Sequence, residues 1–131
     1  VIGLDTNVLV RYVLQDDPQQ SPRASRLFES LSADAPGFVP VVVVVELAWV
    51  LGAGYEVPRQ QLVAVFETLL RSKELVIDRA DIVAQALQRF AGGGADFADA
   101  LIERMATAAG CAATMTFDQG AAKAAGMTLV P

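Results

Sequence analysis

A chain of 131 residues, 53% hydrophobic and 19% charged, is expected to form one domain, 1–131, around a substantial core, and its longest apolar run, Val41 to Val45, is too short to span a bilayer. It has no histidine and one cysteine, which excludes imidazole chemistry and an internal disulfide and leaves carboxylates, hydroxyls, lysine or a metal for any catalysis. The net charge of −5 opposes binding to nucleic acid, but if four acids share one metal cluster, eleven acids face ten basic side chains and the rest of the surface is nearly neutral. No charged leader precedes an apolar segment at the start, so the expected compartment is the cytoplasm.

Val1, Ile2 and Leu4 read as a short strand covered on both faces, ending abruptly on Asp5. A helix over Thr6 to Leu14 follows, stopped by Gln15-Asp16-Asp17-Pro18, with Arg11 off the apolar face. Ser21 and Pro22 suit the N-cap and first position of a second helix through Leu31. After a brief strand at Phe38 and Val39 come five valines. β-Propensity alone would make them a strand. Pro40 before them and Glu46-Leu47-Ala48 after them favour a helix from about Val42 to Leu51, ended by Gly52 and Gly54.

Pro58 opens a helix with Leu62, Val65, Phe66, Leu69 and Leu70 in one stripe. A strand over Glu74 to Asp78 and a helix over Arg79 to Phe90 lead to Gly92-Gly93-Gly94. No Lys-Ser or Lys-Thr follows these glycines, so they are no phosphate cradle. Asp96 to Ala109 predicts a helix with Ala98, Leu101, Ile102, Met105 and Ala109 on one face and Asp96, Asp99 and Glu103 on another. Cys111 is expected to be a small buried hydrophobe. A strand from Ala112 to Thr116 releases the chain on Phe117-Asp118, and a short helix and a strand from Met127 to Val130 complete the chain. The alternation predicts an α/β fold with a mainly parallel sheet and helices on both faces.

Asp5 and Asp118 both stand at the carboxyl ends of strands, where α/β folds form their crevices. Glu46 lies among valines, where an unpaired charge costs several kcal/mol, roughly, unless it finds a partner or a metal. Asp99 and Asp118 taken singly suit ordinary helix starts. Carboxylates that converge without histidine or thiolate repel one another unless a hard cation joins them. Magnesium or manganese suits an oxygen-only set, and such an ion polarises phosphoryl oxygens and activates water.

Leu4-Asp5-Thr6-Asn7, Glu46 after Pro40, Asp96-Phe97-Ala98-Asp99-Ala100-Leu101-Ile102 and Thr116-Phe117-Asp118, in that order, resemble the PIN-domain ribonucleases of the VapC toxin type over essentially the whole chain. The resemblance implies a three-layer α/β/α domain and metal-dependent RNA hydrolysis, with Mg2+ or Mn2+ held by Asp5, Glu46, Asp99 and Asp118. It implies that Thr6, Asn7 and Thr116 orient water or substrate phosphate, and that Asp96 is a helix cap or supporting group. It also implies an RNA substrate, a protein antitoxin and a homodimer. Arg11 suits an RNA or antitoxin contact and equally an ordinary surface ion pair, whereas Lys123 is read as a surface lysine. Two alternatives stay open at this point. One is a phosphotransfer domain of the HAD or receiver type acting through Asp5, although the HAD pattern wants Asp where Asn7 stands and the receiver's early acidic pair is missing. The other is a silent PIN-like module that only binds RNA or protein.

Overall fold

The computed structural model describes residues 1–131 and divides into two compact units, Val1–Asp78 and Arg79–Pro131. In the first unit, β1 (Ile2–Gly3), β2 (Gly37–Val39) and β3 (Leu75–Ile77) form a parallel sheet in sequence order, with Ile2 opposite Gly37 and Gly37 opposite Leu75. Parallel neighbours need long crossovers. These are α1 (Thr6–Leu14) with α2 (Gln20–Ser30), then α3 (Val41–Trp49) with α4 (Arg59–Arg71). Gly37 is required where β2 passes Leu4 and Leu31, because a Cβ there would lie 2.7 Å from a Leu4 methyl. Tyr12 and Phe28 stack at 3.9 Å and join α1 to α2.

The valines are helical, as expected. Pro40 carries no capping group, and the Asp78 carboxylate at the end of β3 instead accepts the Val41 N–H at 3.2 Å. Gly52 and Gly54 lie in a π-helical turn, Val50–Gly54, that ends the helix. Two expectations need correction. β1 is not covered on both faces: it is a two-residue edge strand with both residues exposed, preceded by Val1 at 83% exposure and followed by the buried Leu4. Ser21 is not the cap of α2; the helix begins at Gln20, and Asp17 accepts the N–H groups of Gln19 and Gln20, which holds its carboxyl below the usual range. Ser21 is buried in the first turn, its hydroxyl donating to the Arg11 carbonyl. In α4, Leu62, Phe66 and Leu69 are buried within the one chain, so this stripe is a core face and supplies no argument for a second copy.

The second unit contains α5 (Ala80–Ala91), α6 (Phe97–Ala108), α7 (Gln119–Ala124) and a parallel pair, β4 (Met115–Thr116) and β5 (Thr128–Leu129). Phe90 and Phe97 meet edge to face at 6.0 Å between α5 and α6. The buried face of α6 is Phe97, Ala100, Leu101 and Glu103; Ile102, expected inside, is exposed. Cys111 is exposed too, in the loop after α6, where the chain has left the core.

Glu103 explains the rotated face. Its carboxylate accepts from Arg104 Nε at 2.7 Å, Arg89 Nη1 at 3.2 Å and Thr107 Oγ1 at 2.8 Å, so a charge only 8% exposed is fully partnered. Arg89 also donates to the Ala125 carbonyl, and its guanidinium lies so close to Gly126 that a Cβ there would stand 2.8 Å from Nη1. The Arg104 hydrogen bond is the largest influence lowering the Glu103 pKa, reinforced by Thr107 and the charge of Arg89. A depressed carboxylate contributes stability that is present above its unfolded pKa and lost as pH falls through its folded one. Glu103→Ala is therefore expected to cost about 2 kcal/mol at neutral pH, less below the carboxylate range, as checked by urea unfolding of both chains at each pH.

Candidate metal centre

β1 ends at Asp5, which caps α1: its Oδ1 accepts the Thr6 N–H at 2.7 Å. The buried Thr6 hydroxyl then donates to Glu46 Oε1 at 2.9 Å, reaching from the first turn of α1 to the middle of α3. One residue thus clamps one oxygen of each carboxylate. Glu46 is exposed rather than buried among the valines, because α3 turns Val43, Val44 and Leu47 into the core and Glu46 outward. Burial therefore does not demand a partner for it, and its hydrogen bond is to Thr6. Asn7 is exposed beside Asp5. Together with Arg11, Gln20 and Arg23 it lines a cleft of about 330 Å³ between α1 and α2. Arg11 bonds to Gln20 at 3.0 Å, Asp16 at 3.2 Å and the Tyr55 hydroxyl at 3.4 Å, which is an ordinary surface network.

In the second unit Asp96 caps α6, its Oδ2 accepting the Asp99 N–H at 3.4 Å. Asp118 caps α7 through Gly120 and Ala121 N–H groups at 2.8 and 3.3 Å, and Thr116 Oγ1 accepts the Asp118 N–H at 3.0 Å. Asp99 is half-buried in the first turn of α6. Burial is the main influence raising its pKa, followed by the charges of Asp96 and Asp118. Its carboxyl therefore keeps a proton to higher pH than an ordinary aspartate, and a cation close by would reverse that. Lys123, in the last turn of α7, is exposed.

Within neither unit do three acids come close enough to hold a metal ion by themselves. The mutual influence of Asp96, Asp99 and Asp118 does not conflict with this, since charges interact well beyond coordination distance. The donor chemistry nevertheless fits a hard divalent cation. Asp5 and Glu46 each retain a second carboxylate oxygen outside the Thr6 clamp, and the half-buried Asp99 carries repulsion that a cation relieves.

Residues 2–127 match the PIN domain family. The chain belongs to that family. It is also similar to the VapC ribonuclease of Aquifex aeolicus (strain VF5), 28% identical over 99 residues that cover 75% of this chain and 73% of that protein. Comparison with solved structures gives no match. Membership of the PIN family sets aside the HAD and receiver readings of Asp5 and agrees with the α/β class and parallel strands expected from sequence. No helix is long and apolar enough to cross a membrane. The sequence placed Glu103 on the polar face of its helix and gave no role to it, to Trp49 or to Tyr55. Arg89, Arg104 and Thr107 around Glu103 were the available signal, the last two within one helical turn of it.

Proposed function

We propose that this PIN-domain protein is a divalent-metal-dependent endoribonuclease that hydrolyses RNA phosphodiester bonds, acting in the cytoplasm as the toxin of a toxin–antitoxin pair. The observation that carries the reading is the Thr6 clamp, which presents Asp5 and Glu46 together at the end of β1 in a chain without histidine. The family and the ribonuclease relative support the same reaction.

Asp5, Glu46, Asp99 and Asp118 hold the cation, Mg2+ first and Mn2+ equally suited to their oxygens. Bound there, it would supply Lewis-acid polarisation of a phosphoryl oxygen and of water. The chain's own part is orientation. In this reading Thr6 steadies Glu46 through its hydroxyl, Thr116 steadies the turn at Asp118, and Asn7, exposed beside Asp5, contacts a substrate phosphate. Asp96 supports Asp99 as the cap of α6. An antitoxin protein and a second copy of the chain complete the assembly in this reading.

The test is cleavage of labelled RNA by the purified chain with magnesium and with excess chelator. Cleavage that chelator stops and magnesium restores is expected. Undiminished cleavage in chelator overturns the metal role, and RNA that is bound but never cut indicates a binding module.

A further inference from the structure

Two aromatic side chains stand out on the surface, Trp49 at 69% and Phe117 at 84% exposure, and each adjoins an acid of the proposed centre. Trp49 is one turn beyond Glu46 on the outward stripe of α3, Val42-Glu46-Trp49, and Phe117 immediately precedes Asp118. Water gains nothing from an exposed indole or phenyl ring, and neither ring is needed in its unit's core. We propose that Trp49 and Phe117 are base-stacking residues for single-stranded RNA, each taking the face of a nucleobase next to the acid it adjoins. The proposal rests on the ribonuclease reading above.

Stacking fits these positions better than a protein partner does. A partner covering Val42 and Trp49 would also bury Glu46 between them, and an acid stripped of water without a paired charge is costly. A base laid on the indole leaves the carboxylate open to a cation. Such a platform is tolerant of sequence, because every base has a π face, and it requires bases that are not already stacked in a duplex. It also answers the shortage of positive charge. A chain of net charge −5 cannot draw RNA by phosphate neutralisation alone, and stacking supplies affinity that does not depend on it.

Trp49 is the chain's single tryptophan, so its emission reports on this position without labelling. The 131-residue Asp5→Asn chain, in magnesium, is titrated with a short single-stranded oligoribonucleotide and with a duplex of the same sequence, binding being followed separately by anisotropy of the labelled RNA. Quenching by the single strand and much less by the duplex is expected. In the active chain, Trp49→Ala and Phe117→Ala should each raise KM by about tenfold with kcat little changed, and Trp49→Phe should restore most of the loss. The proposal is overturned if single strands bind without quenching and Trp49→Ala cleaves as the wild type does. It is equally overturned if emission shifts with protein concentration alone, which would place a second copy on the indole. Quenching without any cleavage by the wild type retains the stacking and removes the nuclease reading.

Discussion

Asp5→Asn and Glu46→Gln are each expected to lower RNA cleavage by at least about a hundredfold, since even groups one step removed from a metal cost about 10- to 100-fold when lost. Both substitutions keep the size of the side chain and replace a charged ligand by a neutral amide. Asn can still accept the Thr6 N–H, so α1 should keep its cap, and Gln can still accept the Thr6 hydroxyl. The fold is therefore expected to survive while the cation is lost, with unchanged circular dichroism beside the lost cleavage. Thr6→Val should fall between the wild type and these variants: it leaves both carboxylates in place and removes only the hydroxyl that orients Glu46. Loss of folding in Asp5→Asn would instead make Asp5 a structural cap.

The second large effect separates the two aspartates of α6. Asp99→Asn is expected to be nearly inactive, whereas Asp96→Asn should retain most activity. Asp96 spends its Oδ2 on the Asp99 N–H, a role that Asn performs at a cost of about 1 kcal/mol or less. Asp99 is half-buried and disfavoured as an anion by burial and by the charges of Asp96 and Asp118. A bound cation would relieve that repulsion. Because Asp99 holds its proton to higher pH than an ordinary aspartate, cleavage should also fade on the acid side sooner than an unperturbed site would, and added magnesium should push that limit down. Rates of both variants at saturating magnesium decide the matter. If Asp96→Asn is dead and Asp99→Asn active, the centre must be redrawn around Asp96.

Much of this architecture was legible because local signals agreed. The turn residues after Leu14, the proline before the valines and the proline before Arg59 mark α1, α3 and α4 to within a residue or two of their observed ends. What misled were signals completed only by tertiary partners. The carboxylate at the start of α3 comes from Asp78, thirty-seven residues away, and no local pattern announces it. Glu103 reads as a solvated acid until Arg89, Arg104 and Thr107 are seen around it, and with it inside, the whole face of α6 rotates and Ile102 is left out. Glu46 erred the other way: its valine neighbours suggested burial, yet a helix puts adjacent residues on different faces, and the acid is outside. The Thr6 clamp links residues forty apart, so the sequence offered the three residue types but not their bonding.

In the proposed function, Asp5, Glu46, Asp99 and Asp118 serve one divalent cation. Manganese titration of the full chain, followed by the electron paramagnetic resonance of free Mn2+, tests it most directly. A saturable binding event is predicted for the wild type, weakened at least about tenfold by Asp5→Asn and by Asp99→Asn alike, with Asp96→Asn close to wild type. Binding that neither Asp5→Asn nor Asp99→Asn disturbs, or that only one of them disturbs, would contradict a shared centre.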